Sequence, residues 1–216
     1  MKMKHTKKYL LDSNIYGEMV VDKRIEQLKE DYKICSQIIL IYGIKEIIRK
    51  ELRATPKDAK IGEKKLRSNI LGIYDIFAGK HELLLTEEHK RLANDYYSAY
   101  REFGGSKSKD AMHSDLLIVA CASCKEMDVV ASEDEKTMLT ENAVRAYNLV
   151  NSKNKIRTPR FIGYEEFKLE LRSCLSNKFI SSPNKFWIFL VFLNFIHQLV
   201  QIHFFPFHNI IISVRI

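Results

Sequence analysis

The stretch YLLDSNIY (residues 9–16) is a short apolar run that stops on Asp12, Ser13 and Asn14. A strand heading into a core has no use for a buried carboxylate along its length. Asp12 therefore marks a loop, a helix cap or a ligand at the lip of a sheet, and the rest of the chain must decide. KYLL (8–11) reads as a strand, and helical spacing follows from Asn14 to about Lys33. IILIY (38–42) is a second β-branched run, and GIKEIIRKELRATPK after it reads as a helix stopped by Pro56. Further helices are expected over 58–78 and 86–103, the latter opening at Thr86 with Glu87 and Glu88 in its first turn. FGGSKSKDAMH (103–113) reads as a flexible joint, and SDLLIVACASCKEM as a buried helix opening on Asp115. DVVAS (128–132) is a strand that ends on acid, at Glu133 and Asp134. A helix over 135–150, a strand at RFIGY (160–164) and a helix at EEFKLELRSCL complete the pattern. Strands separated by helices predict an α/β domain with a central, mostly parallel sheet flanked by helices.

The chain has 216 residues, 46% hydrophobic and 29% charged, which suits one well-cored domain and excludes wholesale disorder. A formal net charge of +8 favours a polyanionic partner, either nucleic acid or an anionic membrane surface. Four scattered cysteines (Cys35, Cys121, Cys124, Cys174) do not form a disulfide framework, and no h-region follows the charged MKMKHTKK. A reducing, cytoplasmic setting is expected. Cys121 and Cys124 form a CxxC inside the apolar run LLIVACASC, with no second ligand pair, so they read as packing residues rather than a zinc site.

The domain is expected over 1–176, followed by a hydrophobic tail over 177–216. From Phe186 to Val214 there is no Lys, Arg, Asp or Glu, and the segment is rich in aromatic residues. Its length suits a membrane span. Asn194, His197, Gln198, Gln201, His203 and Pro206 make it a poor one. A packing helix, a membrane anchor and a shifted coding end stay open as readings.

In an open parallel sheet, ligands bind beyond the carboxyl ends of the strands. Asp12 and Asp134 each follow a strand, and Asp115 opens the helix leading into the second of those strands, so the three acids share one edge. Converging carboxylates repel and raise one another's pKa unless a cation offsets them. Hard oxygen ligands suit Mg²⁺ or Mn²⁺. An acidic metal pocket in a basic protein is what phosphodiester hydrolysis requires.

LLDSNIY, IIRKELR, SDLLIVACA and VVASEDEKTM, in that order over residues 8–175, resemble the motif series of the PIN domain, closest to the VapC-type toxin nucleases of bacteria and archaea. The resemblance implies a PIN-like three-layer fold and an endoribonuclease dependent on Mg²⁺ or Mn²⁺. It further implies a dimer, and a cognate antitoxin that reaches into the cleft. By position it makes Asp12, Glu51, Asp115 and Asp134 the catalytic, metal-binding acids, with Asn14 as a supporting polar residue. Ser132 is read as orienting a carboxylate or a metal-bound water. Glu46 lies five residues before Glu51, on a different face of an α-helix, and the motif favours Glu51. Asp110 and Glu133 compete with Asp115 and Asp134. The expected reaction is in-line hydrolysis of RNA leaving a 3′-hydroxyl and a 5′-phosphate. An RNA-processing nuclease without an antitoxin and a non-catalytic RNA- or protein-binding module are the alternatives.

Arg49, Lys50 and Arg53 flank Glu51 and are candidates for RNA contact, as is Lys57 in the run Lys57, Lys60, Lys64, Lys65, Arg67; such a run is more often a solvated face. His113, near Asp115, reads either as a general acid or as a surface residue. Tyr96, Tyr97, Tyr100 and Phe103 read as helix packing or a dimer face.

Overall fold

The computed structural model describes residues 6–180. Its centre is strand β1 (Lys7–Leu11), whose Tyr9, Leu10 and Leu11 are all buried. Burial of consecutive residues means that both faces of the strand are covered, as in a parallel sheet sandwiched by helices. Beside β1 lie β2 (Ile39–Ile44) and β6 (Val129–Ala131), and the edges are β5 (Glu82–Leu83) and β7 (Arg160–Ile162). The order is β5-β2-β1-β6-β7 and every pairing in it is parallel. The chain builds outward from β1 through β2 to β5, then returns to lay β6 and β7 on the other side. The order therefore reverses between β1 and β6, where a crevice opens at the carboxyl ends of an open α/β sheet.

Helices α1 (Ser13–Val21), α2 (Ile25–Cys35), α3 (Lys50–Ala54) and α4 (Leu66–Phe77) belong to the first half. Helices α5 (Glu87–Glu102), α6 (Lys109–Cys124), α7 (Glu141–Asn154) and α8 (Tyr164–Ile180) belong to the second. A small antiparallel hairpin, β3 (Lys60–Ile61) with β4 (Lys64–Lys65), precedes α4. In α6 every residue from Leu116 to Ser123 is buried, and the small side chains of Ala120, Cys121 and Ala122 let neighbouring elements approach closely. Burial pushes the Cys121 thiol up to about 12, which makes it an inert packing group. Tyr96 and Tyr100 are buried in the packing of α5; the Tyr96 hydroxyl donates to Asn151 Oδ1 at 2.6 Å and lies 3.1 Å from Ser123 Oγ.

The sheet, its parallel pairing and the flanking helices agree with the sequence reading, whereas several boundaries do not. The helix expected over 14–33 breaks at Asp22, which is extended and caps the Arg24 N–H at 2.8 Å. Asp22 also accepts from Tyr164 Oη and Lys168 Nζ, both at 2.9 Å, so the break ties α1 to α8. The helix expected over 58–78 begins only at Leu66, because Gly62 takes a positive φ of 58° and turns the lysine-rich run into the hairpin. The helix expected to open on Asp115 opens six residues earlier, at Lys109, capped by Ser108, whose hydroxyl accepts from the Ala111 N–H. The helix expected from 135 starts at Glu141, capped by Thr140, and leaves 135–140 as a loop.

The chain divides into two compact units, Met1–Arg172 and Ser173–Ile216. Of the second, the described part is the end of α8. The tail readings for 177–216 fall almost wholly outside the described residues. Among those residues no helix is long and apolar enough to cross a membrane.

Candidate functional site

Leu11 pairs with Ala131, so Asp12 and Ser132 leave the sheet side by side at the point where the strand order reverses. Asp12 is buried, 4% exposed, and its own carboxylate caps α1 by accepting from the Ser13 N–H at 2.6 Å. The cap of α1 is thus Asp12 itself. The second carboxylate oxygen accepts from Asn14 Nδ2 at 2.7 Å and from Ser132 Oγ at 2.8 Å. Ser132 Oγ in turn accepts from the Asp134 N–H at 3.1 Å, and Asn14 Oδ1 accepts from the Glu133 N–H at 3.2 Å. Asn14 and Ser132 therefore lock the ends of β1 and β6 together around one carboxylate. Burial raises the Asp12 carboxyl against the pull of its Ser132 and Ser13 hydrogen bonds, and the charges of Glu51 and Asp134 add to the rise.

Asp115, in the second turn of α6, faces the same edge and meets Asp134 through Thr137. The Thr137 hydroxyl contacts Asp115 Oδ2 closely and lies 2.5 Å from Asp134 Oδ2. Asp134 also accepts the N–H groups of Lys136 at 2.8 Å and Thr137 at 3.0 Å. Burial opposes ionisation of Asp134, but these bonds and the Lys136 charge hold its carboxyl below the ordinary range. Asp115 is pushed the other way, up to about 7, by burial and then by the charges of Asp12, Asp134 and Glu51, against the Thr137 bond. One hydroxyl carries one proton and cannot donate to both carboxylates. Below pH 7 the consistent arrangement has protonated Asp115 donating to Thr137, which donates to ionised Asp134. Thr137 was missed in the sequence reading. Its signal was the Asp-x-x-Thr spacing after a strand, a local side-chain-to-backbone turn.

Glu51 lies on α3, half-buried, and lines a cleft of about 290 Å³ that it shares with Glu46, Lys50 and His113. Both glutamates line this cleft, and it is Glu51, the residue the motif favours, whose charge raises the Asp12 and Asp115 carboxyls. Residues Lys45–Arg49 form a π-turn, whose i→i+5 repeat returns residues five apart toward one face, and Glu46 lines the cleft with Glu51. Of the candidate RNA contacts, Lys50 lines this cleft, while Arg53 and Lys57 are exposed and absent from its lining. The Arg49 guanidinium pairs with Asp75, lies 3.8 Å from Glu82 and sits 5.3 Å from the Tyr74 ring centroid. Asp110 is exposed in the first turn of α6, and Glu133 accepts the Tyr164 N–H, so neither replaces Asp115 or Asp134.

Asp12 and Asp115 thus both sense the charge of Asp134 and Glu51, and carboxylate oxygens are the donors that Mg²⁺ or Mn²⁺ prefers. They are not gathered into a cage: among the described residues no three His, Cys, Asp or Glu side chains form a group ready to hold a metal ion. Thr137, Asn14 and Ser132 occupy the carboxylate oxygens instead.

No family model matches the chain. No curated protein matches it either. Solved structures with a similar chain path are complexes. A chain of VapBC2 from Rickettsia felis, bound to a DNA fragment from the promoter, is 13% identical at a TM-score of 0.48, covering 72% of this chain and 98% of that one. A chain of DNA-bound VapBC from Salmonella typhimurium is 13% identical at 0.46, covering 74% and 99%. A chain of FitAcB from Neisseria gonorrhoeae is 21% identical at 0.42, covering 65% and 93%. These likenesses are too remote to carry a functional argument. The resemblance drawn from the motifs is corrected by the family comparison. No family model supports it. The chain is not assigned to that family.

Proposed function

We propose that this chain is a ribonuclease dependent on Mg²⁺ or Mn²⁺, with Asp12, Glu51, Asp115 and Asp134 as its acids. The observation that carries the proposal is the meeting of Asp115 and Asp134 on the Thr137 hydroxyl, at the sheet edge where Asp12 leaves β1. Burial and the negative charge of Asp12, Asp134 and Glu51 push the Asp115 carboxyl up to about 7. A cation there relieves the repulsion, and Asp12, Asp115, Asp134 and Glu51 are the residues that would hold it. When bound, the ion supplies positive charge to the scissile phosphate and lowers the pKa of the attacking water. Ser132 and Asn14 fix the Asp12 carboxylate, and Thr137 orients the Asp115 and Asp134 carboxyl groups toward each other. The net charge of +8 supports a polyanionic substrate. A cognate partner protein that covers the cleft belongs to the same proposal.

The test is to incubate purified protein with RNA in Mn²⁺, in Mg²⁺ and in EDTA. Cleavage in the ions alone, lost in Asp12→Asn, is expected; cleavage in EDTA or full activity of Asp12→Asn sinks the proposal. A binding-only reading draws on the absence of a ready metal group among the described residues. RNA binding without cleavage in either ion would favour it.

A further inference from the structure

The cleft that holds Glu46 and Glu51 does not end at His113. A second groove, of about 170 Å³, shares His113 and Leu117 with it and continues between α5 and α6. We propose that this groove, rimmed by Lys90, Asn94, Lys109 and His113 over Leu116 and Leu117, is a nucleotide subsite. It would seat the residue of a single-stranded RNA next to the bond cut at the acids. This rests on the nuclease reading above and deepens it.

Helix spacing builds the groove. Lys109, His113, Leu116 and Leu117 recur at i, i+4, i+7 and i+8 along α6, and Lys90 and Asn94 are one turn apart on α5. Leu116 and Leu117 are buried, 2% and 4% exposed, whereas all four rim residues are exposed. An apolar floor under a cationic rim matches a nucleotide, whose base has an apolar face and whose phosphate is anionic. The volume has room for one base and not for a duplex. Lys109 makes no ion pair among the described residues, and Lys90 pairs only with Glu87, at 2.7 Å within the same helix. Such exposed pairs are weak and exchange readily for a phosphate. Lys50 adds a further positive charge in the adjoining cleft, beside Glu46 and Glu51.

The experiment uses the full chain and a fluorescein-labelled eight-residue oligouridylate in EDTA, read by anisotropy over a range of KCl. Wild type binds, and Lys90→Glu/Lys109→Glu weakens binding at least about tenfold, with the salt slope falling by about 1.4, or about 0.7 per lost phosphate contact. Lys23→Glu/Lys153→Glu makes the same change in net charge elsewhere on the exposed surface and leaves binding within about twofold, with the slope nearly unchanged. His113→Ala weakens binding without changing the slope. Thermal melts confirm that each variant is folded, and Lys90→Ala/Lys109→Ala serves if the reversal does not fold. Equal loss in both double reversals, no loss in the groove variant, or no binding by wild type overturns the subsite. So does displacement of the RNA by polyglutamate as readily as by unlabelled RNA. Because this assay needs no cleavage, a failed nuclease reading leaves its outcome intact. Loss of cleavage in Asp12→Asn with no effect at Lys90 and Lys109 refutes the subsite alone.

Discussion

Replacing Asp115 with Asn should stabilise the metal-free protein while abolishing its proposed activity. Its carboxyl moves from 3.8 to about 7 on folding, about 3 pH units, which at ~1.4 kcal/mol per unit is about 4 kcal/mol as an upper bound. Between those two values the folded chain holds a proton that the unfolded chain has lost. Stability from this group is therefore full below pH 3.8, falls as pH rises, and is exhausted above about 7. Asn carries no charge to bury, and its amide can donate to Thr137, leaving the Thr137 proton for Asp134. Urea unfolding in EDTA at pH 4, 6 and 8 gives the difference between variant and wild type, in which all other titrations cancel. The variant should match wild type at pH 4 and exceed it at pH 8 by about 2–4 kcal/mol. A variant less stable than wild type at pH 8, or a difference that does not vary with pH, refutes the reasoning.

Three further outcomes follow from single contacts. Tyr16 and Tyr147 are fully buried, and their hydroxyls make no hydrogen bond among the described residues, so Tyr16→Phe and Tyr147→Phe should each hold or raise the unfolding free energy in urea, by up to about 1 kcal/mol. Gly43→Ala drives a methyl into the buried Tyr74 ring just before the π-turn, and should cost about 1–3 kcal/mol and lower cleavage together with stability. Asp22 is held at about 2 by the Arg24 N–H, Lys168 and Tyr164 although burial opposes this; its contribution is lost as pH falls from 3.8 toward 2, so Asp22→Asn should flatten that part of the acid melt.

Long features of single character were legible in the sequence. The apolar runs at 8–11, 38–42 and 128–132 became three adjacent central strands, and Thr86 with Glu87 and Glu88 opened α5 as expected. Asp12, Asp115 and Asp134 were traceable to one edge because strand ends and helix starts fix direction, even though α6 begins six residues before Asp115. What escaped depends on backbone geometry that side-chain periodicity does not encode. The π-turn that turns Glu46 toward the cleft of Glu51 has no distinct hydrophobic pattern over five residues. The hairpin at Lys60–Lys65 hinges on the single positive φ of Gly62, and β5 is two residues long. Thr137 joins Asp115 to Asp134 from a loop where a helix was expected, and Arg49 is drawn off by Asp75, a residue of a later helix. The order of the motif blocks is thus more legible than the family it suggested.

The most direct test is a Mg²⁺ titration of the metal-free protein by calorimetry, at pH 6 and pH 8, each in two buffers of different ionisation enthalpy. With the Asp115 carboxyl near 7, about nine-tenths of it is protonated at pH 6 and about one-tenth at pH 8. Binding should therefore release about one proton per ion at pH 6 and almost none at pH 8, with tighter binding at pH 8. Absence of binding, or proton release that is the same at both pH values, would contradict a cation held at this acidic edge.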